Sequence, residues 1–442
     1  MSGGVDLDLL RRLAEIPLGV SQAENAAAFA LLDAALPLQL NAFESGREHN
    51  GWVVPHDWRV RTAAIRKDGE TLFDGTVHPL AVAGYSTSFQ GVVTKEELDR
   101  HLFSSPAFPD AYVFNAVQNY RPWARDWGFC VPHSVRAGWG PGEYEVDLQV
   151  DFVTGTMLVG EHLHHGRTEE TVVFNAHTCH PVQANDDLSG VVVILALFDW
   201  LRGQETRYSY LAVLAPEHLG TVFYLADLAP ERLAQIRLGC FVEMVGTSGP
   251  LVLQQSFGGA SAIDRVAEQA LRSVQAELDV RPFRTVIGND ETVWEAPGIE
   301  VPMVSVSRWP YPEYHTSEDS PSIMSQERLD ETLAALQRIV TTLEEDRLVE
   351  RRFSGLPALS NPMYDLYVER WDPVVDKRLS EEQERLGAAQ DRLLRYFDGR
   401  HTVFEIAREL DLPFGALRDH VAGFAEKGLV ELREPSLAHY ER

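Results

Sequence analysis

Two different spacings of apolar residues divide the first third of the chain. Residues 23–40 carry apolar side chains at helical spacing, and residues 1–50 are therefore predicted to be helical. From Trp52 to about Glu161 the sequence consists of short alternating stretches that are interrupted by Gly, Asp and Pro. That pattern is typical of β-strands joined by turns. A small β domain is thus expected after the helical start.

The pattern changes again at about Thr171 and continues to about Glu345. Apolar stretches at 172–174, 211–214 and 238–245 are typical of buried strands, and each leads into polar residues. An apolar helix is predicted at 191–197 and a longer helix at 325–343. Strands that alternate with helices in this way predict an α/β domain.

The last part of the chain reads as a separate helical unit. A charged helix is predicted at 380–397, followed by a helix, a turn at 411–413, a second helix and a strand from Leu429. This order is typical of a winged helix. A DNA-reading helix brings several cations to phosphates. The second helix here has a formal charge of about zero, which favours packing, dimerisation or protein docking; its charged and titratable residues are Arg418, Asp419, His420, Glu426 and Lys427.

Polar side chains with metal-binding chemistry follow the first strand of the α/β domain. His177, His180, Asp186 and Asp187 lie within eleven positions, directly after an apolar stretch. Imidazole and carboxylate groups at the carboxyl end of an α/β strand are the ligands that a catalytic zinc site needs. This loop is therefore the first candidate for a metal centre.

Three later segments supply further candidates. Glu217 and His218 are neighbours at the end of the next strand, and His315 follows an aromatic, proline-rich loop. Glu243 stands alone in an apolar run, where an isolated charge would be very costly. A metal ion or a buried arginine such as Arg308 would each provide the partner that Glu243 needs.

The motifs HTCHPVQANDDLSG, APEHLG, VEMVG, GNDETVW and YHTSEDSP occur in this order and extend over most of the α/β domain. The ordered set resembles the M28-like zinc aminopeptidases, and more closely the aminopeptidase-like subgroup that carries a small inserted β domain and a C-terminal winged helix. The resemblance spans nearly the whole chain. It implies a mixed-sheet, phosphorylase/hydrolase-like α/β core from residues 1–50 and 162–348. It also implies an inserted β domain at 51–161 and a winged-helix-like domain at 349–442.

The resemblance also implies roles for individual residues. Asp186 takes the position of the bridging aspartate and Glu217 that of the general base. Tyr311 or Tyr314, just ahead of His315, could add a hydrogen bond at the reacting carbonyl, and Tyr314 is preferred. The first histidine is either His177, by strand register, or His180, by the CHP signature, and His180 is preferred. The implied metal ligands are therefore His180, Asp186, His218, Glu243 and His315. The implied substrate-binding residues are Asp290, Glu291, Arg308 and Tyr311.

Two departures from the family pattern leave the metal count open. Cys179 and Val182 stand two positions after the candidate histidines, where the family has an aspartate that orients the ligand. His218 stands where the peptidases usually place a glutamate. One zinc ion on His180, Asp186 and His315, or two with His218 and Glu243 added, are both compatible with the sequence.

The predicted function is a zinc-dependent amide or peptide hydrolase of aminopeptidase type, acting on a small peptide or an aminoacyl-modified metabolite. Two alternatives share the same residues. One is a non-catalytic aminopeptidase-like scaffold for binding or regulation. The other is acyl transfer or cyclisation on the same zinc site, as in the glutaminyl cyclases that share this fold.

Composition limits the partners. The net charge of −27 argues against nucleic acid or an anionic membrane as the main partner. No apolar run approaches the ~20 residues needed to cross a bilayer. The three cysteines are far apart, which gives no disulfide framework, and the N-terminus lacks the pattern of a signal peptide. A cytoplasmic homo-oligomer is therefore expected.

Overall fold

The computed structural model describes residues 4–116, 121–370, 374 and 379–441. The chain forms two compact units, residues 1–337 and residues 338–442. The strands are β1 (Gln39–Glu44), β2 (Glu48–His49), β3 (Trp52–Val53), β4 (Asp57–Lys67), β5 (Glu70–Asp74), β6 (Phe89–Thr94), β7 (Leu102–Phe103), β8 (Phe129–Cys130), β9 (Glu143–Val153), β10 (Thr156–His164), β11 (Thr171–His177), β12 (Ser209–Ala215), β13 (Ile236–Val242), β14 (Leu251–Gln254), β15 (Asp279–Arg281), β16 (Met303–Arg308), β17 (Leu348–Arg351), β18 (Asp398–Thr402) and β19 (Val430–Arg433).

The α-helices are α1 (Leu7–Ala14), α2 (Asn25–Ala35), α3 (Lys95–Arg100), α4 (His133–Arg136), α5 (Gly190–Leu201), α6 (Leu219–Asp227), α7 (Pro230–Leu233), α8 (Ala262–Arg272), α9 (Glu291–Trp294), α10 (Gln326–Glu345), α11 (Glu381–Tyr396), α12 (Val403–Glu409) and α13 (Phe414–Glu426). Short irregular turns of helix lie at Asn185–Ser189, Pro321–Ile323 and Leu437–Glu441. No helix in the described part of the chain combines the length and the apolar character needed to cross a membrane.

An eight-stranded mixed sheet forms the centre of the first unit. Its strand order is β1-β10-β12-β11-β13-β16-β14-β15. The four central strands β12, β11, β13 and β16 are parallel to one another. Their carboxyl ends therefore meet at one edge of the sheet, where α/β proteins commonly bind their ligands.

Burial explains why these segments are strands. Every residue of β11 and of β12 is buried, as expected for parallel strands that are covered on both faces. Helix α5 packs against β11 with an almost wholly buried surface that includes Val191, Ile194 and Phe198. Each such side chain contributes about 1.5–3 kcal/mol when it is removed from water. The packing of α5 and the buried strands thus fixes the sheet edge that carries the polar residues.

A second, four-stranded antiparallel sheet has the order β5-β4-β9-β6 and its own apolar core. Residues near 114 reach from this region to the loop that follows β16. The Phe114 N–H donates to the carbonyl oxygen of His315 at 2.8 Å, and the Ser317 N–H donates to the carbonyl oxygen of Tyr112 at 2.7 Å. These bonds fix one loop of the β region beside the metal-ligand candidates.

The structure corrects two expectations about the elements. Residues 39–44 form strand β1, although the helical pattern included them. Pro37 explains the change, because its ring disfavours helix at Leu36, which is indeed extended. Strand β10 pairs with both β1 and β12 in the large sheet. The expected domain boundary after Glu161 therefore falls inside a strand of that sheet.

The second unit contains helices α11, α12 and α13 and an antiparallel sheet of order β18-β17-β19. Helix α12 begins with a capping box, in which Thr402 and Glu405 each bind the other's backbone N–H. The buried carboxylate of Asp346 accepts hydrogen bonds from the Phe404 N–H at 2.9 Å and the Tyr440 hydroxyl at 2.6 Å. Asp346 thereby ties the start of α12 to the last turn of the chain.

Candidate metal centre

The candidate residues collect at the carboxyl ends of the four central strands. His177 is the last residue of β11, and Glu217 and His218 follow β12. Glu243 follows β13 directly, and His315 lies in the loop after β16. Four separate segments thus supply polar side chains to one edge of the sheet.

Three side chains come together as a possible metal-binding group. The ligand atoms of His180, Asp186 and His315 lie within 4.8 Å of one another. Oδ2 of Asp186 is 3.1 Å from Nε2 of His315 and 3.9 Å from Nε2 of His180. This oxygen is buried, and it accepts no hydrogen bond of acceptable geometry from the residues that the structure describes. A buried carboxylate oxygen between two imidazole nitrogens fits a zinc ion with three protein ligands and an open fourth position.

The backbone around Asp186 is held by Asp319. The carboxylate of Asp319 accepts the N–H groups of Ala184, Asn185 and Asp186 at 3.1, 2.6 and 3.1 Å, and the Tyr311 hydroxyl at 2.8 Å. Burial raises the pKa of Asp319 to about 7, because four donors do not fully replace water. Asp319 therefore orients a ligand without touching the metal group.

Asp187 performs a similar task on the other side of Asp186. Its carboxylate accepts the N–H groups of His177, Gly190 and Met244 at 3.1, 3.3 and 3.0 Å. These three donors belong to the end of β11, the start of α5 and the loop after β13. Burial raises the pKa of Asp187 to about 8. One side chain thus joins three elements beneath the metal group.

His177 and His180 have different electrostatic environments. Nε2 of His177 lies 3.1 Å from Oδ1 of Asp186. Burial opposes a charge on His177, but the charges of Asp187 and Asp186 outweigh burial and raise its pKa well above the usual value. For His180, burial dominates and lowers the pKa to about 4. His180 is therefore a neutral ring, the form that binds a metal.

Asp186 itself remains ionised. Burial alone would raise its pKa, but the adjacent His180 and the contacts with His177 and His315 lower the pKa well below the usual value. A single carboxylate faces three imidazole rings here. The predicted ligands His180, Asp186 and His315 are thus together in the structure, with suitable protonation states for His180 and Asp186.

Glu217 lies at the margin of this group. Its Oε2 is 3.9 Å from Nε2 of His180, and its N–H donates to Sγ of Cys179 at 3.2 Å. The side chain is partly exposed. The structure thus places this carboxylate beside the candidate ligand His180, with access to solvent.

His218 is engaged away from the metal group. Its backbone has φ of 54°, in the left-handed region, and its N–H donates to Oδ1 of Asp290 at 2.6 Å. Its Nε2 lies 3.1 Å from the carbonyl oxygen of Asn289, so Nε2 is the protonated nitrogen. Burial lowers the pKa of His218. The remaining nitrogen, Nδ1, lies 4.0 Å from Oε1 of Glu217.

Glu243 is also engaged elsewhere. Ser305 donates to its Oε1 at 2.9 Å, and the Asn289 amide donates to its Oε2. Burial raises its pKa well above the usual value, with smaller contributions from nearby Glu291 and Asp187. Within the described residues, neither Glu243 nor His218 joins the group of His180, Asp186 and His315.

The predicted substrate-binding residues have varied surroundings. Arg308 is buried, donates to the carbonyl oxygens of Val245 and Gly249, and pairs with Glu331 at 2.8 Å. The alternative that Arg308 neutralises Glu243 is therefore wrong, because hydrogen bonds from Asn289 and Ser305 hold Glu243 instead.

The remaining predicted residues lie close to the centre. Asp290 and Glu291 are fully buried beside Asn289, and Glu291 accepts the Asn289 N–H at 2.9 Å. The Tyr311 hydroxyl binds Asp319. The Tyr314 ring stacks on His315 with ring centroids 3.8 Å apart.

Sequence reasoning missed two contributors. Asp319 lies in the YHTSEDSP motif, and its position four residues after His315 was an available signal. Phe114 packs edge-on against both His180 and His315, with centroids 4.9 and 5.0 Å away. It lies in the β region, far from any motif, so that its position depends on the tertiary fold alone.

Comparison with known proteins places the chain in a family. Residues 7–346 match the family described as "Domain of unknown function (DUF4910)". A Clostridium acetobutylicum protein, named for polysaccharide biosynthesis and an aminopeptidase-like domain, is 29% identical over 315 residues, or 71% of each chain.

Solved structures show the same fold. A candidate peptidase from Clostridium acetobutylicum superposes with a TM-score of 0.78 at 24% identity, covering 97% of this chain and 96% of that one. The zinc aminopeptidase BSAP of Bacillus subtilis gives a TM-score of 0.57 at 14% identity, covering 76% and 93%. An M28 peptidase precursor of Shewanella amazonensis gives 0.57 at 14%, covering 77% and 93%. These likenesses confirm the predicted resemblance at the level of the fold. The chain therefore belongs to the DUF4910 family, and its mixed α/β fold is that of the M28 aminopeptidase-like proteins.

Proposed function

We propose that this protein is a zinc-dependent amide hydrolase of aminopeptidase type. The observation that carries the proposal is the group of His180, Asp186 and His315, with the carboxylate of Glu217 at its margin. Two imidazole rings and one carboxylate form a typical three-ligand set for catalytic zinc. A site for binding alone would not need the adjacent base.

These three residues would hold a single zinc ion. When bound, zinc would lower the pKa of water to about 7 and polarise the carbonyl group of the substrate. The engagement of Glu243 by Asn289 and Ser305 supports one ion rather than two.

Glu217 is proposed to take the proton of the attacking water and to pass it to the leaving amine. Its Oε2 lies 3.9 Å from Nε2 of His180, close enough to reach a water molecule held beside the metal group. His218 lies beside Glu217 and is held by Asp290 and Asn289, so we propose that His218 positions the base. Tyr314, stacked on His315, is proposed to donate a hydrogen bond to the developing oxyanion.

Substrate binding is assigned to the loop after β15. Oδ2 of Asp290 is buried and makes no hydrogen bond within the described residues. We propose that Asp290 and its neighbour Glu291 meet the free amine of the substrate. Arg308 donates to the carbonyl oxygen of Gly249, and Tyr311 donates to Asp319. We therefore propose that these two residues hold the loops around the metal centre and do not contact the substrate.

Several wider assignments belong to the same proposal. The β region at 51–161 would be a domain that narrows access to the centre, and residues 349–442 a winged-helix-like domain. In the latter, Arg418 of α13 pairs with Asp419 at 2.7 Å and also with Glu345. A cation that is already paired supports protein docking or homo-oligomer formation over DNA binding.

The substrate would be a small peptide or aminoacyl metabolite in the cytoplasm. The name of the Clostridium relative supports a role in polysaccharide biosynthesis.

The direct test is turnover of a panel of aminoacyl p-nitroanilides by the purified chain. Glu217→Gln should lower kcat by about 10²- to 10⁴-fold while zinc content is retained. Glu205→Gln, an exposed glutamate outside the centre, is the matched control and should leave kcat unchanged. Equal turnover in Glu217→Gln and wild type would reject the base. No turnover of any amide by zinc-loaded wild type would favour the non-catalytic scaffold.

A further inference from the structure

A cavity of about 460 Å³ opens directly beside the metal-ligand candidate His180. Its walls come from residues 17–24, from β4 and the segment 75–85, and from residues 114–116. The loop at 179–181 closes it on the side of the metal centre. The volume is in the range of pockets that bind small molecules, about 300–1,000 Å³.

The surface of this cavity is mostly apolar. Val60, Leu80 and Val82 supply aliphatic groups, and Trp58 and Phe114 supply aromatic rings. Such walls bind the carbon skeleton of a ligand through the hydrophobic effect.

Among the described residues, the charged groups at the cavity are either paired or exposed to solvent. Arg59 is 53% exposed and binds the carboxylate of Asp57, with Nε 3.0 Å from Oδ2. Glu24 is exposed and lies near Arg59. His78 stacks on Tyr112, and burial lowers its pKa, so that the ring is neutral. The one cation in the described wall is therefore already paired, and its one carboxylate is solvated.

One polar group in the wall lacks a partner. Tyr85 is 8% exposed, and its hydroxyl makes no hydrogen bond within the described residues. The hydroxyl lies near Gln22 and the backbone of Val20 but does not reach hydrogen-bond geometry with either. A buried hydroxyl without a partner costs free energy that a polar atom of a ligand would recover. The backbone of Tyr85 is fixed in the left-handed region at φ of 60°, which holds the ring in place.

The cavity and the metal centre share two side chains. His180 lines the cavity and contributes to the metal group. Phe114 also lines the cavity and packs against the rings of His180 and His315. A ligand in the cavity would therefore touch the ring of a metal ligand.

We propose that this cavity binds an uncharged side group of the substrate that is aromatic or branched, mostly apolar, and carries one polar atom that hydrogen-bonds to Tyr85. This inference rests on the proposed function and names its substrate class, an amide with one bulky apolar side group. The group enters the cavity while the amide lies at the metal centre.

The test uses the uncharged fluorescent probe N-phenyl-1-naphthylamine with the full-length chain. Its rings suit the apolar walls, and its N–H can donate to the Tyr85 hydroxyl. Val60→Trp fills the cavity, and Val60 does not line the neighbouring cavity that Tyr85 also borders. Val77→Trp is the matched control, because Val77 is 66% exposed and does not line the cavity.

Wild type and Val77→Trp should show saturable binding with equal affinity. Val60→Trp should weaken binding about tenfold or more, and Tyr85→Phe about two- to tenfold. Binding that is absent in wild type, or equal in wild type and Val60→Trp, would overturn the proposal.

The probe experiment is repeated after treatment with EDTA, because probe binding does not require the metal. Retained probe binding together with no amide turnover by the zinc-loaded wild type would refute the proposed function and leave the cavity assignment standing. Turnover without any saturable, Val60-sensitive probe binding would refute the cavity assignment and leave the hydrolase standing.

Discussion

The imidazole rings of His177 and His180 face each other through their Nδ1 atoms, which are 3.2 Å apart. Only one of the two nitrogens can carry the shared proton. A cation on Nε2 of His180 would oppose the positive charge that Asp187 and Asp186 favour on His177. His177 would then be neutral, the proton of the His180 ring would reside on Nδ1, and Nδ1 of His177 would accept it. Nε2 of His177 then donates to Asp186. His177 thus occupies the place of the orienting carboxylate that the sequence lacks at this site.

This relationship predicts that His177 positions the metal ligand without binding zinc itself. His177→Phe keeps a ring of similar size and removes the acceptor. It should weaken zinc affinity about 10- to 100-fold, as is usual when an outer partner of a ligating histidine is lost. Competition with a chromophoric chelator measures the affinity. His177→Gln, which retains an acceptor oxygen, should recover part of the loss, and an unchanged affinity in His177→Phe would contradict the role.

The start of α5 leaves no room for a side chain at Gly190. A Cβ there would lie 2.0 Å from the carbonyl oxygen of Val242 and 2.6 Å from Oδ1 of Asp187. Gly190→Ala should therefore destabilise the protein by about 1–3 kcal/mol, because backbone must move to admit the methyl group. Denaturant unfolding is the measurement. Gly203→Ala, where the new Cβ meets only an ordinary contact at 3.8 Å, should change stability by less than about 0.5 kcal/mol. Equal effects of the two substitutions would be inconsistent with this packing.

Asp346 should make stability depend on pH in a definite direction. Burial raises its pKa from 3.8 to about 6 in the folded protein. The folded state therefore holds the proton more tightly than the unfolded state does. The stabilising effect of the proton is fully present below pH 3.8 and is lost as the pH rises through about 6. The total change is about 3 kcal/mol, since one pKa unit corresponds to about 1.4 kcal/mol.

Asp346→Asn removes this titration while retaining an oxygen that can accept from the N–H groups of Arg347 and Phe404. The stability of wild type relative to this variant should fall by about 3 kcal/mol between about pH 4 and pH 7. Urea unfolding at several pH values measures the difference. A difference that is independent of pH, or that grows with rising pH, would show that the carboxyl is not held in this environment.

The sequence pattern predicted only some of the strands of the α/β unit. The apolar stretches predicted β11, β12 and β13 and helices α5 and α10, because fully buried parallel strands leave a strong signal in sequence. Strand β1 was missed, since an exposed edge strand beside a proline has little apolar pattern. The pairing of β10 with the large sheet depends on partners that are distant in sequence, and no local pattern reports it.

The candidate residues of the site were easier to derive from the sequence than the hydrogen bonds and ring contacts around them. Motif order assigned His180, Asp186 and His315 to one site, and the structure brings their ligand atoms within 4.8 Å of one another. Their role as zinc ligands stays a prediction. The engagement of Glu243 by Asn289 and Ser305 depends on side-chain orientations that motifs do not encode. The hydrogen bonds that Asp319 accepts and the edge-on contact of the Phe114 ring with His180 depend on loops that meet only in the folded protein.

Zinc content tests the central claim most directly. Elemental analysis of the purified wild type, His315→Ala and His218→Ala should find about one zinc ion per chain in the wild type. His218→Ala should retain it, because the contacts of His218 lie with Asn289 and Glu217. His315→Ala should lose most of it. Full zinc content in His315→Ala, or about two ions in the wild type that fall to about one in His218→Ala, would contradict a single zinc held by His180, Asp186 and His315.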